Sequence, residues 1–183
     1  MEGAQLAGVA HGHPQVSLHT FALADYVRCL DKGDLAGVGE LMLGSARKLA
    51  LLGADFVICP DNTIHSALPL IAERAPLPWL HIAEVVAQAA VERKLSKIGL
   101  LGTHWLVSSE VYPQKLSARG LSFVRPSETE RAEVGRIIME ELVCSSFKPE
   151  SVRYLQSVID NLKATGCDGV VLGCTELPLV LND

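Results

Sequence analysis

Short apolar runs bounded by Gly, Pro or Asp alternate along this chain with longer stretches of helical period, and that alternation narrows the folds open to it. Strand-like runs occupy 15–21, 55–59, 79–82, 97–101, 121–124 and 169–172, and helical period occupies 34–52, 63–73, 83–93, 107–118, 128–143 and 149–165. A strand that is apolar throughout is covered on both faces, so the pattern predicts an α/β protein with parallel strands between helical layers. The punctuation agrees. Asp34 stands where a helix N-cap belongs, Gly53 and Gly166 where helices stop, and Ser127 with Glu130 reads as a capping box.

Composition removes whole classes of function. The 183 residues are enough for a core without a disulfide or metal staple, and 49% hydrophobic with 20% charged residues excludes disorder, collagen and coiled coil. A net charge of −5, with no local Lys/Arg cluster, argues against a nucleic-acid partner. No apolar run approaches the roughly 20 residues that span a bilayer, so no membrane partner is expected. The five cysteines, Cys29, Cys59, Cys144, Cys167 and Cys174, are odd in number and show no Cys-x-x-Cys spacing. That usage fits a reducing, cytoplasmic compartment. His11 and His13 lack the partners of a metal site, and no metal is expected.

A weak internal repeat locates the chemistry. Residues 53–63, Gly-Ala-Asp-Phe-Val-Ile-Cys-Pro-Asp-Asn-Thr, lie without a gap on residues 166–176, Gly-Cys-Asp-Gly-Val-Val-Leu-Gly-Cys-Thr-Glu. In both copies a helix stops at Gly, an Asp follows two residues later, and a strand leads to a reactive side chain at its C-terminal edge. Asp61 stands opposite Cys174 in this alignment. Ligands of open α/β sheets bind beyond the carboxyl ends of the strands, so two related halves meeting across a cleft would bring Asp61 and Cys174 together. Crossovers between the halves are expected near Ile82 and Cys174.

Each candidate has a chemical reason. Gly173 allows close backbone approach, while Thr175 and the free N–H groups of a helix expected to begin there can hold a carboxylate. The same helix terminus would lower the Cys174 thiol pKa and supply thiolate near neutral pH. Asp61, Asn62 and Thr63 serve either as N-cap chemistry or as a base with anion-binding partners. Two bases on opposite faces of a carbon are what inversion at that carbon requires: one removes a proton and the other delivers one. Glu176 is a candidate support for Cys174, Thr103 a donor at another strand end, and His65 an orienter of the site. His81 and His104 follow strands and are weaker cleft candidates, and 128–141 reads as a solvated acidic helix face.

These residues resemble the aspartate/glutamate racemase superfamily. Asp61-Asn-Thr-Ile-His65 and Gly173-Cys-Thr-Glu-Leu-Pro178 are similar to its paired Cys-Asn-Thr-x-His and Gly-Cys-Thr-Glu-Ile-Pro motifs, especially those of its aspartate racemase and broad-specificity amino-acid racemase branch. The likeness extends over essentially the whole chain, through Leu100-Leu-Gly-Thr103 and the 128–142 helix. The resemblance implies two pseudo-symmetric parallel-sheet α/β domains with a cleft between them, here residues 1–82 plus 176–183 and residues 83–175. It also implies acid/base catalysis by Asp61 and Cys174 with neither pyridoxal phosphate nor metal, and a small carboxylate substrate bound by Asn62, Thr63 and Thr175. A homodimer is a further expectation.

Three departures qualify the resemblance. Asp61 replaces the usual cysteine, and an ionised Asp is intrinsically a weaker base than a thiolate by about 4.6 pKa units, or roughly 6 kcal/mol. A symmetric two-thiol mechanism is therefore excluded. The segment 21–27 lacks the arginine, and 142–144 the lysine, that aspartate-selective members use, so aspartate is not the expected substrate. The strand, Gly-rich loop and first helix with which such proteins open, and their closing strand and helix, are also expected to be missing here. Three readings follow: a cofactor-independent racemase or epimerase; a decarboxylase or cis–trans isomerase using Cys174 as proton donor; or an inactive, truncated carboxylate-binding homologue.

Overall fold

The computed structural model describes Gly8 and residues 11–181. Helices α1 (Leu23–Asp31) and α2 (Leu35–Leu51) come first, followed by strand β1 (Val57–Ile58). A helical stretch then runs through a 3-10 segment Thr63–Ala67, α3 (Leu68–Ile71) and a 3-10 turn Ala72–Arg74 to β2 (Trp79–Leu80). The second part comprises α4 (Ile82–Glu92), β3 (Lys97–Leu101), α5 (His104–Ser108), α6 (Val111–Ser117), β4 (Ser122–Val124), α7 (Glu128–Arg136), a π-helical segment Ile137–Leu142, α8 (Pro149–Ala164) and β5 (Gly169–Leu172). A 3-10 turn, Leu177–Leu179, follows β5.

The expected α/β architecture is present as two parallel sheets. β1 pairs with β2 in the register Val57↔Trp79 and Ile58↔Leu80. The other sheet has the order β4-β3-β5, with Gly99↔Val124 on one side of β3 and Leu101↔Leu172 on the other. Side-chain alternation along β3 supplies both faces of that sheet. Ile98 and Leu100 enter a core with Ala83, Ala87, Tyr112 and Leu116 from α4 and α6. Leu101 enters another with Ile137, Ile138, Leu155 and Val158. Each fully buried Leu or Ile contributes about 1.5–3 kcal/mol by leaving water. The β1-β2 sheet is backed by Val38, Met42 and Leu43 of α2, packed on Ile64, Leu68 and Ile71.

Local signals act as their chemistry dictates. The Asp34 carboxylate accepts from Gly37 N at 2.8 Å, and Ser127 and Glu130 form the expected capping box. Gly53 and Gly166, at φ 80° and 91°, end α2 and α8 in the left-handed region that favours glycine. Asp168 holds β5 to the start of β3, its carboxylate accepting from Ser96 N at 2.8 Å and Lys97 N at 2.9 Å.

Several elements differ from the sequence expectation. The 15–21 segment is not a strand. A trough of about 540 Å³ lies between it and β1, so no backbone ladder forms, and Val16 and Leu18 stay more than 80% exposed. The amphipathic α1 went unrecognised. The helix expected at 107–118 is split because the Ser109 hydroxyl donates to Leu106 O at 2.7 Å and accepts from Val111 N, competing with the backbone ladder. In 63–73, Pro69 lacks the N–H that a continuous α-helix would use. The acidic face expected at 128–141 is interrupted by the π-helical segment, where Glu141 is 2% exposed and bonded to Ser151, Arg136 and Lys148. Leu177 is fully buried and, with Val180 and Leu181, packs on the core of the β4-β3-β5 sheet, whereas the sequence grouped 176–183 with the first half.

At the N-terminus of α4 the rings of His65 and His81 lie 4.9 Å apart. Burial, then the charges of His65 and Lys115, hold His81 down at about 4, and burial lowers His65 as well. Between about pH 6.5 and 4 the unfolded chain thus binds more protons at these sites than the folded one, so stability falls as pH falls through that window. His81→Asn, which removes the titrating ring, is expected to flatten the pH dependence of Tm over that interval. An unchanged slope would show that His81 does not set it.

Candidate functional site

The carboxyl ends of the two sheets face one cavity of about 210 Å³. Asp61, Asn62 and Thr63 reach it from the turn after β1, Thr103 from the end of β3, and Cys174, Thr175 and Glu176 from the end of β5. Positions distant in sequence therefore line one cavity.

The Asp61 turn is held from below. Asp61 Oδ1 accepts from Ile64 N at 3.2 Å, and its backbone carbonyl accepts from His65 Nδ1 at 2.8 Å. His65 Nε2 accepts from Ile82 N at 3.3 Å, so both ring nitrogens are engaged. His65 is 1% exposed and does not line the cavity; unlike the other binding candidates, it orients the Asp61 turn from behind. His81 and His104 also lie outside the lining, His104 being stacked on Trp105 with ring centroids 4.1 Å apart.

Two buried polar contacts cross between the halves. Tyr112 O–H donates to Asn62 Oδ1 at 2.5 Å, and the hydroxyls of Thr63 and Thr103 are 3.4 Å apart. With its carbonyl oxygen occupied by Tyr112, Asn62 has its amide N–H groups left to donate. Burial pushes the Tyr112 hydroxyl pKa up, keeping it a donor. Sequence reasoning missed Tyr112 because its position in α6 reads only as a core face; its hydroxyl is explained by a partner 50 residues away.

Cys174 differs from expectation in its protonation. No α-helix begins at Thr175; the chain makes a turn and then the short 3-10 segment Leu177–Leu179, so the expected helix terminus is absent. Its Sγ–H instead donates to Glu176 Oε2 at 2.8 Å, and the Thr175 hydroxyl donates to the same oxygen at 2.9 Å. Burial, the hydrogen bond to Glu176 and the Glu176 charge push the thiol up to about 12, with a smaller push from Asp61. The resting group is a protonated thiol. Gly173 sets its position: Gly173 N donates to Leu101 O at 2.7 Å, and an added Cβ would approach that oxygen to 2.9 Å.

Cys59 lines the neighbouring trough rather than the cavity, and burial followed by the Asp61 charge pushes its thiol up to about 11. Among the described residues no group of three or more His, Cys, Asp or Glu is placed to hold a metal ion, and no helix is long and apolar enough to cross a membrane. The arrangement presents two carboxylates, Asp61 and Glu176, and the Cys174 thiol to the same space, beside amide and hydroxyl donors suited to an anion.

Known proteins share this arrangement of chain. A family model described as Asp/Glu/Hydantoin racemase matches residues 3–183. The broad specificity amino-acid racemase RacX of Bacillus subtilis is 24% identical over 146 residues, covering 78% of this chain and 61% of RacX. The glutamate racemase of Listeria innocua is 30% identical over 181 residues, covering 92% of this chain and 61% of that protein. This chain thus spans about three fifths of the length of those relatives. A Yersinia pestis crystal structure provisionally named an Asp/Glu racemase superposes with a TM-score of 0.87 at 29% identity, covering 99% of this chain and 79% of that one. PH1733, an aspartate racemase homologue from Pyrococcus horikoshii, gives 0.81 at 25% identity, covering 100% and 79%.

Replacing Glu176 by Gln removes the charge and weakens the acceptor that keep Cys174 protonated. Glu176→Gln is expected to lower the pH midpoint for alkylation at Cys174, followed by mass spectrometry of its peptide. A midpoint that stays or rises would remove Glu176 from this role.

Proposed function

The chain belongs to the Asp/Glu/hydantoin racemase family, and from that premise we propose that it is a cofactor-independent racemase or epimerase of amino acids or related small carboxylates. The observation that carries the reading is one small cavity lined by both Asp61 and Cys174, each at the carboxyl end of a strand in a different sheet. Asn62, Thr63 and Thr175 would receive the substrate carboxylate, the Thr175 hydroxyl turning to it from Glu176, placing its α-carbon between the two acid/base groups. One group removes the α-proton while the other protonates the opposite face. Negative charge then develops toward the carboxylate oxygens, where the amide of Asn62 and the hydroxyls can stabilise it. A homodimer in a reducing, cytoplasmic compartment completes the proposal.

The two directions are unequal. Cys174, held as S–H by Glu176, begins as proton donor and leaves the Asp61 carboxylate to act as base. The opposite direction needs a thiolate, whose formation the same environment opposes. That imbalance favours a second reading, decarboxylation of a malonate-like substrate, in which loss of CO₂ makes the carbanion and only a proton donor is required; cis–trans isomerisation through Cys174 belongs to the same one-sided class.

Exchange of the α-hydrogen in D₂O separates these readings. Wild-type protein, incubated with D- and L-amino acids and hydroxy acids, is expected to incorporate deuterium. Cys174→Ala and Asp61→Asn should each lose on the order of 10²–10⁴-fold in rate. CO₂ release from malonates without α-exchange would favour the decarboxylase, maleate isomerisation without exchange the isomerase, and folded protein inactive in every assay would leave only a carboxylate-binding role.

A further inference from the structure

The cavity lining includes apolar residues whose chemistry the acid/base pair does not account for. α1 contributes Leu23, Val27 and Leu30, and the π-helical segment with the residue after it contributes Ile138, Met139 and Val143. The widened turn matters here: consecutive residues Ile138 and Met139 both reach the cavity, while Glu141 is turned away into its own cluster with Arg136, Lys148 and Ser151. Among the described residues, no Lys or Arg lines the cavity, and residues 1–7, 9–10 and 182–183 contain neither. The charged side chains in the lining are Asp61 and Glu176, both acidic.

We infer that the site selects monocarboxylates bearing a short aliphatic substituent, such as branched-chain amino acids, and rejects dicarboxylates. This rests on the acid/base reading of the same cavity. One carboxylate is met by the donors of Asn62, Thr63 and Thr175. A second, placed among the apolar residues of the lining, would lose its water against Leu, Val, Ile and Met side chains, meet no cation among the described residues, and feel the Asp61 and Glu176 charges. An α-ammonium group is compatible with the acidic lining, whereas an aliphatic substituent gains by burial. Size agrees. About 210 Å³ is the scale of one small molecule.

The test compares leucine, valine, aspartate and glutamate, each as both enantiomers, in α-exchange in D₂O and in calorimetric binding, with 4-methylpentanoate as a non-reacting probe. Wild-type protein is expected to exchange leucine or valine at least about tenfold faster than aspartate or glutamate, and to bind 4-methylpentanoate more tightly than succinate. Met139→Lys places a cation on the apolar wall and should shift the leucine-to-aspartate ratio at least about tenfold toward aspartate; Met139→Leu should leave the preference in place. Aspartate or glutamate exchanging as fast as leucine would overturn the inference while leaving the racemase reading intact. Absence of exchange with retained preference for 4-methylpentanoate would overturn the racemase reading and leave the selectivity standing. Equal or tighter binding of succinate, or no binding of either probe, would overturn the selectivity whatever the turnover.

Discussion

The cavity depends on two buried polar contacts between the halves of the chain. Tyr112 reaches from α6 to Asn62, and Thr63 meets Thr103, joining the turn after β1 to the elements around β3. Both contacts lie among buried residues, where an unpaired hydroxyl or amide would cost about 1–3 kcal/mol, so their pairing selects one relative placement of the two sheet edges. That placement leaves Asp61 and Cys174 on one space. The polar groups that secure the scaffold also leave donors for an anion, because Tyr112 occupies the carbonyl end of Asn62 and not its amide end.

Electrostatics divides labour within that space. Glu176 gathers the Cys174 S–H and the Thr175 O–H on one carboxylate oxygen, which with burial keeps the thiol protonated. Asp61 is oriented differently, by backbone hydrogen bonds that include the His65 ring behind it. The Asp61 carboxylate and the Cys174 thiol thus meet the cavity in unlike surroundings. A lowered thiol pKa is the natural inference from a Gly-Cys-Thr sequence ahead of a helix. Here no helix begins, and the nearest charge is negative, so the sign reverses.

Much of the architecture was legible because it follows from local rules. β3 and β5 read directly as apolar runs; Gly53 and Gly166 mark helix ends; and Ser127 with Glu130 caps a helix as the pair promised. What escaped needed partners remote in sequence. The 15–21 run has strand character, yet a strand exists only when another lies within hydrogen-bonding reach, and a trough occupies that place. Glu141 belongs to an apparently solvated acidic face until a π-helical turn and Ser151 draw it inside. The apolar wall of the cavity went unnoticed because hydrophobic residues on α1 and the π-helical segment look like ordinary core positions.

By itself the sequence determined the α/β class, the repeat, and the identity and strand-end location of Asp61 and Cys174, since periodicity and motif spacing are properties of the chain. Tertiary structure decided the protonation of Cys174, the withdrawal of His65 behind the site, the contact of Tyr112 with Asn62 and the apolar residues gathered in the cavity lining. Those depend on burial and on neighbours brought together by packing, and desolvation and Coulomb interaction act through distance in space, whatever the separation along the chain.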